Sequence, residues 1–181
     1  MSNRKLSKYM TEQKFCASDT AKKLKIKNIF TPTAFKNAVI FCQDFLDPIV
    51  DYYAKLQGVT KLSIMLILLV LSSGYRDILV NKAVGGDPKS QHPFGNCGDI
   101  NILRVTAKQL FNDIISGRIK QRNGKPLKDI VDQCIYEVKS NGQTWVHLGR
   151  AGKPRKQFKK AIINVVNGVS HTSYSNVVSE I

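Results

Sequence analysis

The sequence predicts an α+β fold, in which a small antiparallel sheet has helices packed to one side. Apolar residues recur at three- and four-residue steps over residues 33–56, as they do in an amphipathic helix. Two β-type runs lie on either side of Asn141-Gly142, a dipeptide that is a strong hairpin signal. The overall order of helix, strand, strand, helix, hairpin and helix favours an antiparallel sheet over a parallel one.

The first segment along the chain, residues 1–14, is basic, and we expect either a solvated tail or a docking arm. No apolar stretch follows its basic residues, so it does not resemble a signal peptide, and we expect synthesis in the cytoplasm without export. Ser18 or Asp19 is the predicted N-cap of a short helix. The amphipathic segment that follows is one helix or two, with Pro48 as a kink or restart.

The middle of the chain is predicted to supply two strands and a helix. The apolar run at residues 63–71 is far shorter than the roughly 20 residues of a membrane span, so we interpret it as a buried strand. Residues 100–103 form a second predicted strand. The stretch "AKQLFNDIISGRI" then predicts a helix that ends near Gly117.

The last part of the chain is predicted to contain the hairpin, a basic cluster and a helix through Val166. Residues 166–181 are predicted to be a polar tail, on which His171 lies. We therefore interpret the chain as a basic arm (1–14), one domain (15–165) and a C-terminal tail (166–181).

The composition limits the class of protein. The chain has 181 residues, 43% of them hydrophobic, which is enough for a substantial core. Its formal net charge of +15 indicates an anionic partner (nucleic acid, an acidic cell-wall polymer or an acidic protein surface) or simply a soluble basic surface. The four cysteines form no CxxC pair, which excludes a zinc ribbon, and we expect them to be reduced core residues.

The segment at residues 73–100 is the candidate site. His92 and Asp99 are separated by a glycine-containing loop that can fold back on itself, and the predicted hairpin contributes His147. Two imidazoles and a carboxylate with an open fourth position are typical of a catalytic zinc site. The alternative is that these histidines are hydrogen-bonded loop residues without a metal.

Short sequence motifs in this segment closely resemble those of a known family. "SGYR", "VGG", "SQH" and "GDI", followed by "WVH", are similar to motifs of the zinc D-alanyl-D-alanine carboxypeptidases, the LAS-type metallopeptidases, and most similar to their phage-associated branch. The resemblance covers roughly residues 15–160 and implies a hedgehog-like or D-Ala-D-Ala-peptidase-like fold. It also implies one Zn²⁺ per chain, bound by His92, Asp99 and His147, with Arg76 holding the substrate carboxylate and Ser90 lining the same pocket.

The sequence departs from the family at the general base. Many members have Glu or Asp three residues before the last histidine, and this chain has Thr144 there. If Val138 pairs with Thr144 in the hairpin, Glu137 shares a face with Trp145 and His147 and becomes the candidate base. The other interpretation of Glu137 is an exposed or salt-bridged surface residue.

Two functions follow from the resemblance. The first is a zinc-dependent peptidoglycan peptidase of phage origin, of the D-Ala-D-Ala carboxypeptidase or stem-peptide endopeptidase type. It would be made in the host cytoplasm without a signal peptide, and could then be carried in a virion. The second is a catalytically inactive virion protein that keeps the peptidase fold and binds acidic protein or nucleic acid through its basic arms. Thr144 leaves open which of the two applies.

Overall fold

Six strands form one sheet in the computed structural model, which describes residues 3–167 and 169–177. The order across the sheet is β1-β2-β4-β3-β5-β6, and every neighbouring pair is antiparallel except β3 and β5. The α+β prediction is therefore confirmed. The strands are β1 Leu69–Ser73, β2 Cys97–Ile102, β3 Gln133–Lys139, β4 Thr144–Gly149, β5 Gln157–Val166 and β6 Val169–Asn176.

The helices precede the sheet or lie between its strands. They are α1 Glu12–Phe15, α2 Asp19–Lys23, α3 Pro32–Phe41, α4 Asp47–Leu56, α5 Leu62–Leu68, α6 Ile78–Ala83 and α7 Ala107–Ile115. The predicted helix with a break near Pro48 is confirmed, because a π-helical turn at Cys42–Leu46 joins α3 to α4 and Pro48 lies in the first turn of α4. Ser18 caps α2 by accepting a hydrogen bond from the backbone N–H of Ala21.

The hydrophobic core lies on one face of the sheet. Helix α7 packs on β2, β3 and β4, and its buried Leu110 and Ile114 join Ile100, Val146 and Leu148 in a single cluster. Because side chains alternate along a strand, the neighbouring residues of β2, β3 and β4 point to the opposite face. That open face is the one on which the candidate site is built.

The described part of the N-terminal segment is not a solvated tail or a free arm. Leu6, Tyr9 and Met10 are buried, and the fully buried Asp47 accepts hydrogen bonds from the hydroxyl of Ser7 and the backbone N–H of Lys8. The sparse apolar residues of the segment face inward, and Lys5 and Lys8 are exposed. Lys14 is partly buried and donates hydrogen bonds to the backbone carbonyls of Leu66 and Leu69. The division of the chain at residues 14 and 165 remains a prediction.

The prediction of one buried strand over residues 63–71 is wrong. This run begins as helix α5 and continues as β1, and several of its apolar side chains, such as Leu66, Ile67 and Val70, are exposed. A short apolar run has no periodicity to distinguish helix from strand, and leucine and methionine are good helix formers.

The helix predicted through Val166 is also wrong. Strand β5 occupies this segment, and β6 returns along it with every side chain exposed, so half of the predicted tail forms an edge strand. His171 lies on β6 opposite Asn164. The β-branched residues at 162, 163, 165 and 166 favour a strand over a helix. Residues 178–181 of the predicted tail lie outside the described residues.

Two further expectations concern cysteines and membranes. All four cysteines are buried and free in the described chain, as predicted for reduced core residues. Among the residues described, no helix combines the length and apolar character needed to cross a bilayer.

Candidate metal centre

The three predicted ligands meet on the open face of the sheet. Asp99 on β2 lies directly opposite His147 on β4, and His92 begins a short 3₁₀ turn that precedes β2. The Nδ1 atom of His147 lies 2.8 Å from Oδ1 of Asp99, and Nε2 of His92 lies 3.4 Å from Oδ2 of the same carboxylate. All three residues are buried. The structure therefore brings together side chains that are up to 55 positions apart along the chain.

A backbone carbonyl orients His92 for metal binding. Nδ1 of His92 lies 2.6 Å from the carbonyl oxygen of Gly74, so the ring donates its Nδ1–H there and directs the lone pair of Nε2 towards Asp99. Such an outer hydrogen bond is the usual device for fixing the tautomer of a histidine ligand. Gly74 is required at this place, because a Cβ atom on it would collide with the carbonyl oxygen of Phe15.

Arg76 lies between the predicted ligands. Its Nη2 atom lies 2.8 Å from Oδ2 of Asp99 and 3.0 Å from Nε2 of His92. Its Nε donates to the hydroxyl of Ser73 and its Nη1 to the side-chain oxygen of Asn81. A metal ion bound to Asp99 and His92 would take over the two acceptors that Nη2 contacts, whereas the bonds to Ser73 and Asn81 would remain.

The donor set and its spacing fit a zinc ion. Zinc binds imidazole and carboxylate at about 2.0–2.2 Å in tetrahedral geometry, which places neighbouring ligand atoms roughly 3.3 Å apart. One oxygen of Asp99 lies 2.8 Å from Nδ1 of His147 and the other lies 3.4 Å from Nε2 of His92, so each imidazole has a carboxylate oxygen at about this spacing. Burial raises the pKa of Asp99, but the charges and hydrogen bonds of His92 and His147 outweigh burial and hold that pKa well below its usual range. Asp99 is therefore present as the carboxylate that a metal needs.

Cys97 is a second candidate for the third ligand, and the sequence analysis treated it only as a core residue. Ligand-type atoms of His92, Cys97 and His147 lie within 4.8 Å of one another. Cys97 precedes Asp99 by two residues on β2 and so shares its face. Burial raises the pKa of the Cys97 thiol well above its ordinary value, which keeps the thiol neutral. The sequence signal that could have identified Cys97 as a candidate ligand is its position two residues before Asp99.

Glu137 points to the same face as the predicted ligands. The hairpin has the assumed register, with Val138 opposite Thr144 and Glu137 opposite Trp145. Burial raises the pKa of Glu137 to about 7, and the charge of Asp99 adds to this rise, while His147 and the Trp145 indole oppose it. Glu137 is half-buried and forms no ion pair among the described residues, and its carboxyl group can gain or lose a proton near neutral pH.

A cleft of about 470 Å³ extends from the ligands towards β5 and β6. Ser90 lines it and accepts a hydrogen bond from the backbone N–H of His92, which helps to fix the His92 turn. Lys159 and Tyr174 line its far side, with the ammonium group of Lys159 5.7 Å from the ring centre of Tyr174. The cleft therefore connects the candidate metal centre to a polar wall on β5 and β6 that carries a cationic side chain.

The comparison with protein families matches the part of the chain that contains most of this site. A family model described as Peptidase M15 matches residues 28–122, which is more than half of the chain. The matched region includes Arg76, His92 and Asp99, whereas Glu137 and His147 lie beyond it. No curated protein and no solved structure matches the chain.

Proposed function

Because the chain belongs to the Peptidase M15 family, we propose that it is a zinc peptidase that hydrolyses peptidoglycan stem peptides. At the level of the family, this is a zinc-dependent peptidase related to the D-Ala-D-Ala carboxypeptidases. The observation that carries the finer proposal is the meeting of His92, Asp99 and His147 around one point beside Glu137. We also propose a phage origin, which rests on the sequence motifs alone.

The metal would be held by Nε2 of His92, the Asp99 carboxylate and Nδ1 of His147. Zinc in such a site supplies Lewis acidity and lowers the pKa of a bound water to about 7. We favour Asp99 over Cys97 as the third ligand. The Asp99 carboxylate lies within 3.4 Å of both imidazoles, and two imidazoles with a carboxylate are a common donor set of catalytic zinc.

Glu137 would move the protons of the reaction. With a pKa of about 7, its carboxylate accepts a proton from the attacking water and can return it to the departing amine at neutral pH. Thr144, at the position of the usual acidic residue, cannot do this because a hydroxyl group is far too weak a base. The substitution at Thr144 therefore does not by itself argue against activity.

Arg76 and Ser90 would position the substrate. Once Asp99 and His92 bind the metal, Nη2 of Arg76 has lost both acceptors and is available for a carbonyl or carboxylate oxygen of the substrate. Its bonds to Ser73 and Asn81 keep the guanidinium group at the edge of the site. Ser90 would hold the loop that carries His92 and line the binding cleft.

The alternative function, an inactive virion protein with binding arms, remains a prediction that no feature of the structure favours. The argument for it from Thr144 is weakened by the position of Glu137. Its basic arms are, in their described parts, packed into the core and the sheet.

The test is incubation of the zinc-loaded protein with purified peptidoglycan fragments, followed by mass spectrometry of the products. We expect cleavage by the wild type and a loss of about 10²–10⁴ in kcat for Glu137→Gln with its zinc retained. Glu12→Gln is the matched control, because Glu12 pairs with Arg4 far from the site in sequence and has no proposed role in the reaction. Full activity of Glu137→Gln would exclude this residue as the base, and an inactive zinc-loaded wild type would contradict the proposed function.

A further inference from the structure

A second cavity lies on the other side of the candidate metal centre. It has a volume of about 730 Å³, and Arg76 and Asp99 line both this cavity and the cleft towards β5. We call it the β1-side groove. Its wall includes Ser18 and Thr20 near the start of α2, Val70 and Ser72 on β1, and Val84 at the end of α6.

The β1-side groove and the cleft lie on one continuous face of the sheet. Val70 on β1 is paired with Asn101 on β2, and Asn101 follows the residue that pairs with Val146 on β4. Cross-strand neighbours then continue from Trp145 on β4 to Glu137 on β3, Ala161 on β5 and Tyr174 on β6. Five strand spacings of about 4.8 Å make this face roughly 24 Å wide, the length of about seven extended residues.

Both ends of this path reach solvent. Val70 and Val84 at the β1 end are 46% and 43% exposed, and Tyr174 at the β6 end is 59% exposed. The candidate metal centre lies between them, on β2 and β4. A peptide can therefore continue in both directions from a bond placed at the centre.

The lining of the β1-side groove suits a peptide and not a terminal carboxylate. Serine, threonine, asparagine and glutamine side chains supply hydrogen-bonding groups, and valine, alanine and Trp145 side chains supply apolar surface. The carboxylate of Asp19 also lines the groove and disfavours a terminal carboxylate there. Of its two basic residues, Arg76 also lines the cleft on the other side of the centre and has the proposed role of binding a substrate oxygen beside the metal. The other, Lys139, belongs to the β3–β4 hairpin, at the opposite edge of the groove from α2 and α6.

We propose that the β1-side groove is a second peptide-binding site, which holds the part of the substrate on the far side of the scissile bond. The protein is then an endopeptidase, with substrate on both sides of the bond, and not a carboxypeptidase. This inference rests on the proposed function. In the reaction the amide C–N bond breaks, and one water supplies OH to the carbonyl carbon and H to the amine, so no other reactant is required.

The first test compares three stem peptides that share one sequence and differ only beyond the scissile bond. One ends in a free carboxylate, the second has the same end amidated, and the third is extended by several residues. We expect amidation to change kcat/KM little and the extension to raise it about tenfold or more. Cleavage of the free acid with no cleavage of the other two would overturn the inference and leave the proposed function intact. No cleavage of any of the three by the zinc-loaded enzyme would overturn the proposed function itself.

The second test narrows the β1-side groove. Val84→Trp should lower kcat/KM for the extended peptide about tenfold and leave the shorter peptides nearly unaffected. Ile78→Trp is the matched control, since Ile78 is 73% exposed on the same helix and does not line the groove. Equal kinetics of Val84→Trp and Ile78→Trp on the extended peptide would overturn the proposed site.

Discussion

Glu137→Gln should make the metal-free protein more stable at alkaline pH while it removes the proposed base. The pKa of Glu137 is about 7 in the folded protein, against an ordinary value of 4.5. Since each pKa unit corresponds to about 1.4 kcal/mol, ionised Glu137 lowers the free energy of unfolding by roughly 3 kcal/mol at pH 8. Glutamine has the same shape and no charge, so it avoids this loss.

The pH dependence gives this prediction its sign. An acid whose pKa is raised on folding binds more protons in the folded state than in the unfolded state between the two pKa values. The contribution of Glu137 to the free energy of unfolding therefore falls as pH rises from about 4.5 to about 7 and is constant above that range. The difference between Glu137→Gln and wild type should therefore be small at pH 5 and approach roughly 3 kcal/mol at pH 8.

Urea unfolding of the zinc-free proteins at both pH values measures this difference. Glu12→Gln is the control with the opposite sign, because its hydrogen-bonded ion pair with Arg4 outweighs burial and lowers the pKa of Glu12. That variant should lose stability at pH 8. The reasoning is refuted if Glu137→Gln is less stable than wild type at pH 8, or if its advantage does not grow with pH.

Two further predictions concern the rest of the chain. Asp132→Asn should lower the free energy of unfolding by about 2–3 kcal/mol, because the fully buried carboxylate accepts hydrogen bonds from Arg155 and Gln91. Urea titrations measure this loss, and a loss below about 1 kcal/mol would contradict the prediction. Lys159→Met should weaken the binding of acidic stem peptides several-fold in low salt, measured by calorimetry, because Lys159 lines the cleft. Lys160→Met is the control, since Lys160 lies on the opposite face of β5 and should not affect binding. Equal effects of the two substitutions would exclude a direct role for Lys159.

Local signals in the sequence were sufficient for the hairpin and for the ligand convergence. Asn141-Gly142 fixes a tight turn, and a tight turn sets the pairing of Val138 with Thr144 and thereby the face on which Glu137 lies. His92 and Asp99 belong to one motif, and His147 lies on the second strand of the hairpin, so a resemblance in motif order was enough to bring the three together.

The contacts that arise from tertiary structure could not be predicted in this way. Nothing local indicates that Arg76 contacts both Asp99 and His92, because that depends on how the loop after β1 passes the start of β2. The exposed β5–β6 hairpin was missed because its lysines and polar residues suggested a helix and a tail, and its pairing with β3 joins residues far apart in the sequence.

Metal content is the most direct test of the candidate centre. Protein purified with zinc present should contain about one zinc per chain by elemental analysis, and His92→Ala and Asp99→Ala should each lose it. Cys97→Ser should retain the metal, and the cobalt-substituted wild type should show no thiolate charge-transfer absorption. A wild type without bound metal would contradict the account. Loss of zinc in Cys97→Ser with retention in Asp99→Ala would contradict the assignment of Asp99 as the third ligand.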